Sequence, residues 1–223
     1  KRPAPQNLFT MIKTDMQQSI NFIAKENPTI GKVTIIIFCI NLIMSSMLII
    51  GLPVIITENL GMSSELYGVS QGALAIGGLL GGLLAGVLGK KLNVQNAHYL
   101  LFFCALGIIP MGLVLVFNFP PFVCYLVLTG AGALLMVCST IFSILMLAFV
   151  QAQTPGDIVG KVVSCVMAVS MCSQPFGQAI YGVLFERFSN APGLVMLAAA
   201  LVCIFLTLYS KSTFRKLKAV PVT

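Results

Sequence analysis

Neutral polar residues interrupt otherwise apolar stretches of this sequence at Asn41, Ser70, Gln71, Ser139, Thr140, Gln174 and Gln178. Their amides and hydroxyls donate and accept hydrogen bonds without carrying charge, so the chemistry they offer is recognition, not proton transfer. No Asp, Glu, Lys, Arg or His falls near the middle of an apolar run, whereas proton relays and ion sites in membranes are built from such residues. One histidine, His98, and six scattered carboxylates do not supply the cluster of acid, base, nucleophile or metal ligands that an enzyme needs. Cys39, Cys104, Cys124, Cys138, Cys165, Cys172 and Cys203 lie in apolar runs without a CxxC or Cys/His spacing. They read as free thiols serving as small hydrophobes. We expect no catalytic residue, no metal site and no cofactor.

The elements that must position the polar residues are apolar and long. Of 223 residues, 58% are hydrophobic and 9% are charged, against roughly 25% charged in soluble domains, and the mean hydropathy is +1.00. Six apolar runs, approximately 33–56, 66–88, 99–117, 122–150, 158–185 and 193–209, are long enough or nearly so to cross a bilayer. Loops rich in Gly, Pro, Asn and Asp separate them, and connections this short force neighbouring helices to run antiparallel. The expected fold is an all-α membrane protein of six transmembrane helices, arranged as two inverted three-helix repeats. Residues 1–30 form a cytoplasmic linker, 31–210 the membrane domain and 211–223 a basic tail.

Within the linker, Phe9, Ile12, Met16, Ile20 and Ile23 recur at spacings of three and four among polar residues. That pattern predicts an amphipathic helix on the membrane surface or against the domain. Its end is set at Asn27-Pro28, because proline disfavours helical geometry in the residue before it.

The formal charge of +7 would suggest nucleic acid as a partner of a soluble protein; here the charges sit at span ends and set topology instead. With alternate loops assigned to alternate faces, twelve of the thirteen Lys and Arg residues fall on one side and only Arg187 on the other. Both termini are therefore expected in the cytoplasm.

Polar residues concentrate in the first, second, fourth and fifth runs and are almost missing from the centres of the third and sixth. The latter two helices should face lipid while the other four surround something wetter. Asn41, Ser70, Gln71, Ser139, Gln174 and Gln178 are either helix-to-helix hydrogen-bonding groups or the lining of a substrate cavity. The second run carries Gly68, Gly72, Gly77, Gly78, Gly81, Gly82 and Gly86, which give four G-x-x-x-G pairs. Such pairs permit close packing or sliding of backbones. Pro53, Pro110 and Pro175 mark expected kinks, with Pro175 beside Gly177 the favoured flexing point. Ser70-Gln71 and Ser173-Gln174 occupy matching places in two units of opposite orientation, an echo of the kind inverted repeats produce.

The second run closes on Gly82-Leu83-Leu84-Ala85-Gly86-Val87-Leu88-Gly89-Lys90-Lys91. This stretch resembles the G-x-L-A-D-R-x-G-R-R signature of major facilitator transporters, in the cytoplasmic loop after the second helix of a half. Gly86 replaces the acidic residue and Val87 the first basic one, as in the degenerate copy of C-terminal halves, leaving Gly82, Gly89, Lys90 and Lys91 as the loop motif. Lys90 and Lys91 read either as part of that motif or simply as charges that hold topology.

Two further stretches are similar to the bacterial drug-proton antiporter branch, which includes macrolide and siderophore exporters. These are the linker from Asp15 to Pro28, with Phe22-Ile23, and the set Gln151, Thr154-Pro155, Gly160-Lys161-Val162 and Pro175-Phe176-Gly177. The resemblance implies the second half of a plasma (inner) membrane transporter that exports small amphipathic organic molecules by alternating access. Its first, second, fourth and fifth helices would line a cavity that also offers methionines such as Met47 and Met171. Its partners would be the lipid bilayer, the small-molecule substrate and a missing N-terminal six-helix half, which would carry any proton coupling. The chain opens on Lys1 instead of Met and reads as an excerpt of a longer one. A non-transporting membrane scaffold is the alternative.

Overall fold

The computed structural model describes residues 8–89 and 93–214, with side chains from Thr14 onward at the N-terminal end. Lys90 and Lys91 of the loop motif lie outside the described residues. All regular structure among the described residues is helical. A surface helix, Leu8–Asn21, leads into six helices with the length and apolarity to cross a membrane: Pro28–Asn59, Ser64–Leu88, Val94–Val116, Pro121–Ala152, Val159–Arg187 and Pro192–Phe214.

Helix starts follow local chemistry. Pro28, Pro121 and Pro192 open the first, fourth and sixth spans, where the missing proline N–H costs nothing because the first helical amides have no partner anyway. Ser63 caps the second span by accepting from the Leu66 amide at 3.4 Å. Left-handed residues follow the first and third spans, at Gly61 (φ 62°) and Asn118 (φ 50°), residue types that tolerate this conformation. Most spans run past the apolar stretches expected from sequence, because polar end residues still complete the last helical turn. Thus Pro28 belongs to the first span rather than to the linker, and Lys211–Phe214 to the sixth rather than to the tail.

The first span is not a uniform α-helix. α-Helical segments Pro28–Ile40 and Ser46–Pro53 alternate with wider π-helical turns at Asn41–Ser45 and Val54–Asn59. The second wide turn follows Pro53, whose ring leaves the Ile49 carbonyl without its usual donor. Pro110 and Pro175, by contrast, sit inside helices of unbroken assignment.

Packing is crossed between the two three-helix units. The first span packs on the fifth and the second on the fourth, while the third pairs with the sixth and also touches the fourth. Exchanging the units turns a first-to-fifth contact into a fourth-to-second one, as inverted repeats require. In lipid the hydrophobic drive between helices is lost and close van der Waals contact replaces it, so small residues mark the seams. A side chain at Gly77 would meet the Ala133 carbonyl, and one at Gly81 would lie 2.7 Å from that of Val137. On the other seam, Gly177 faces the Leu42 carbonyl and Ser46, and Gly51 faces the Phe185 ring. Gly68, Gly72, Gly82 and Gly86 face open space, so Gly77–Gly81 is the one G-x-x-x-G pair with both members tight against another helix.

The surface helix is held to the start of the fifth span by Lys161, which pairs with Asp15 at 2.8 Å and donates to Gln18 at 2.9 Å. Ser19 and Phe22 are buried, whereas Met16 and Ile20 are each 51% exposed. The polar flank of this helix therefore meets the domain and part of its apolar stripe is left free. Two loop bonds tie opposite ends of the bundle: Asn27 Nδ2 donates to the Gln153 carbonyl at 3.5 Å, and Asn59 Nδ2 to that of Ser189 at 2.7 Å.

Candidate functional site: a carboxamide-lined cavity

The first wide turn carries Asn41 and Ser45 at its two ends. Asn41 Nδ2 donates to its own helix at the Ile37 carbonyl, 3.0 Å, which aims Oδ1 outward. That oxygen accepts from Ser45 Oγ at 3.3 Å and from Gln174 Nε2 at 3.5 Å. Ser46 Oγ adds 3.2 Å bonds to the Asn41 and Gln174 carbonyls. Asn41 and Gln174 are thus tied to each other across the seam, and each also lines a cavity.

Two cavities flank this cluster. The larger, about 400 Å³, is lined by Ser45, Ile49, Gln71, Leu74, Met136 and Gln174, among others. It thus draws on the first, second, fourth and fifth spans. The smaller, about 270 Å³, is lined by Asn41, Ser143, Ser170, Met171 and Gln174 among others. No charged side chain lines either one, and no third-span or sixth-span residue does. Outward on those two helices stand apolar residues such as Phe103, Leu201 and Phe205, each more than half exposed.

The two Ser-Gln pairs behave alike. Ser70 and Ser173 are both fully buried, while Gln71 and Gln174, the next residues along, both line the larger cavity. Ser173 Oγ donates to the Ser170 carbonyl at 2.6 Å; Ser70 Oγ has no partner. Gln71 Nε2 donates to Tyr67 Oη at 2.5 Å, one turn back. The remaining sequence-named residues lie apart. Ser139 and Gln178 are half-buried and line neither cavity, and Met47 is buried in the core. Thr140 packs against Gly81.

Sequence reasoning missed Ser45, Ser46 and Tyr67. Ser45 follows Asn41 by four residues and Tyr67 precedes Gln71 by four, the spacing that puts two side chains on one helical face. That signal was present but unexploited. Among the described residues no group of His, Cys, Asp and Glu has the arrangement of a metal site.

Six apolar helices crossing around polar-lined cavities define a multi-pass membrane protein. The Major Facilitator Superfamily matches residues 34–221, and the chain belongs to that superfamily. It is accordingly a membrane transporter. Comparison with curated proteins and with solved structures gives no match.

Proposed function

We propose that this chain is the C-terminal half of a secondary active transporter that exports small amphipathic organic molecules by alternating access. The observation that carries the reading is the larger cavity. Carboxamides from opposite three-helix units enter it, and its walls are otherwise largely apolar, with Ile49, Leu74 and Met136 among them. Sites that take organic ligands combine apolar walls with a few placed polar groups in this way.

A site between two rocking bundles is shared by both, so an N-terminal six-helix partner supplies the opposing wall. Any proton coupling resides there too, since these cavities hold no titratable carboxylate or histidine. The protein sits in the plasma membrane with both ends of this chain in the cytoplasm, as the lysine and arginine bias favours.

The test is efflux. Membrane vesicles containing the protein as its gene encodes it should move lipophilic organic dyes against a gradient when energised, and vesicles carrying Gln174→Leu should do so more slowly. Equal dye movement with and without the protein would make the scaffold reading the better one.

A further inference from the structure

We propose that Gln71 and Gln174 form a paired clamp for an uncharged amide-type edge, one that presents a hydrogen-bond donor beside an acceptor. Lactams, secondary carboxamides, imides and nucleobases carry such an edge. The inference rests on the transporter reading and names the substrate class of the same cavity.

Three observations lead to it. First, both carboxamides face one cavity of about 400 Å³ from the second and fifth spans, and each follows a buried serine. Second, each spends one Nε2 hydrogen inside the protein, Gln71 on Tyr67 and Gln174 on Asn41. A primary carboxamide has two N–H donors and a carbonyl oxygen, so one donor and one acceptor remain on each for a ligand. These internal bonds also fix the plane of each amide. Third, the cavity has no charged lining residue, so a ligand's cation or anion would lose its hydration without a counter-charge from this chain. A neutral donor-acceptor edge avoids that cost. Its carbonyl accepts from the free N–H of one glutamine while its N–H donates to the carbonyl oxygen of the other, the kind of complementarity with which Gln or Asn reads adenine.

The probe series shares one naphthyl body and differs in its head: a lactam with free N–H, its N-methyl derivative, the corresponding lactone, and a quaternary ammonium. Binding to the purified full-length protein and uptake into energised inside-out vesicles are read in parallel. The lactam should bind about ten- to a hundredfold more tightly than the N-methyl lactam or the lactone, the discrimination that a paired donor-acceptor contact provides. Gln71→Leu and Gln174→Leu should each reduce that preference, and the double variant should abolish it. The head-group comparison on unaltered protein does not depend on any variant folding.

Equal binding of lactam and N-methyl lactam would overturn the proposal, as would tighter binding of the quaternary ammonium. Uptake of all four probes without preference would sink the clamp and leave the transporter reading standing. A lactam preference in binding without uptake of any probe would sustain the clamp and sink the transporter reading. Neither binding nor uptake of any probe would remove both.

Discussion

Gly177 lies against the backbone of the first span so closely that an added methyl would run into the Leu42 carbonyl and the Ser46 hydroxyl. The Gln174 carbonyl, less than one turn away, accepts from that same hydroxyl at 3.2 Å. Close approach and polar clamp are thus one arrangement: only a residue without Cβ lets Ser46 reach across to the helix that carries the cavity glutamine.

Gly177→Ala should therefore cost stability, by about 1–3 kcal/mol as for other overpacked sites. Gly182→Ala, five residues on and facing open space, should stay within about 0.5 kcal/mol of the unaltered protein. Thermal unfolding of both variants in the same detergent makes the comparison. Equal behaviour would mean that the seam is looser than described.

Removing a buried but unpartnered hydroxyl should help. Ser70 is fully buried and its Oγ has no partner, so Ser70→Ala relieves an unsatisfied group and is expected to stabilise by about 1 kcal/mol. Loss of stability in the same assay would reveal a partner for that hydroxyl in another conformation.

Asn41 joins Ser45 to Gln174 through one oxygen, at 3.3 and 3.5 Å. Interhelical hydrogen bonds in membranes are worth about 0.6 kcal/mol, so Asn41→Leu should change thermal stability little. Its effect should appear in ligand affinity, because Gln174 then loses the contact that orients it. Parallel unfolding and binding measurements separate the two; a stability loss with unchanged affinity would assign Asn41 a packing role alone.

The Lys161–Asp15 pair is partly exposed, with side chains 38% and 35% accessible, and pairs of that kind contribute no more than about 1 kcal/mol. Lys161→Glu should speed amide exchange in Leu8–Asn21 by roughly fivefold, the factor that matches such an energy. Adding Asp15→Lys should restore protection. Exchange that ignores both changes would show that the surface helix is held by Phe22 and its neighbours instead.

Much of this architecture is legible in the residues because membranes simplify the code. A polar pair such as Ser70-Gln71 stands out within an apolar run, and its echo at Ser173-Gln174 pointed to the two glutamines that line one cavity. Other features depend on which way a helix is turned. Gly77 and Gly81 meet the fourth span while Gly82 and Gly86, of the same spacing, meet nothing, and spacing alone does not tell the two faces apart. Ser139 and Gln178 look as polar as Asn41 in sequence, yet rotation about their helix axes leaves them outside both cavities. The wide turns were illegible, since local propensity favours ordinary α-helix and a π turn persists only where tertiary contacts compensate for it.

Those wide turns have a consequence for phase. Every fourth residue of the first span from Ile36 to Ile56, namely Ile36, Ile40, Met44, Leu48, Leu52 and Ile56, is at most 4% exposed. On a regular α-helix, stepping by four overshoots a full turn by about 40°, so five steps would carry such a stripe about 200° round the axis. Each π turn absorbs one extra residue, worth about 100° of rotation, so the turn at Asn41–Ser45 takes back about half of that drift, and the turn that begins at Val54 takes back more at the end of the stripe. The span is thereby partly phase-corrected, and its buried stripe winds less around the axis than it would on a regular helix. Deleting a single residue between Asn41 and Ser45 would remove the one that the wide turn absorbs and restore the regular helix with Leu52 still on its seam. A deletion in the α-helical segment Ser46–Pro53 would meet no such slack and would rotate everything beyond it by about 100°.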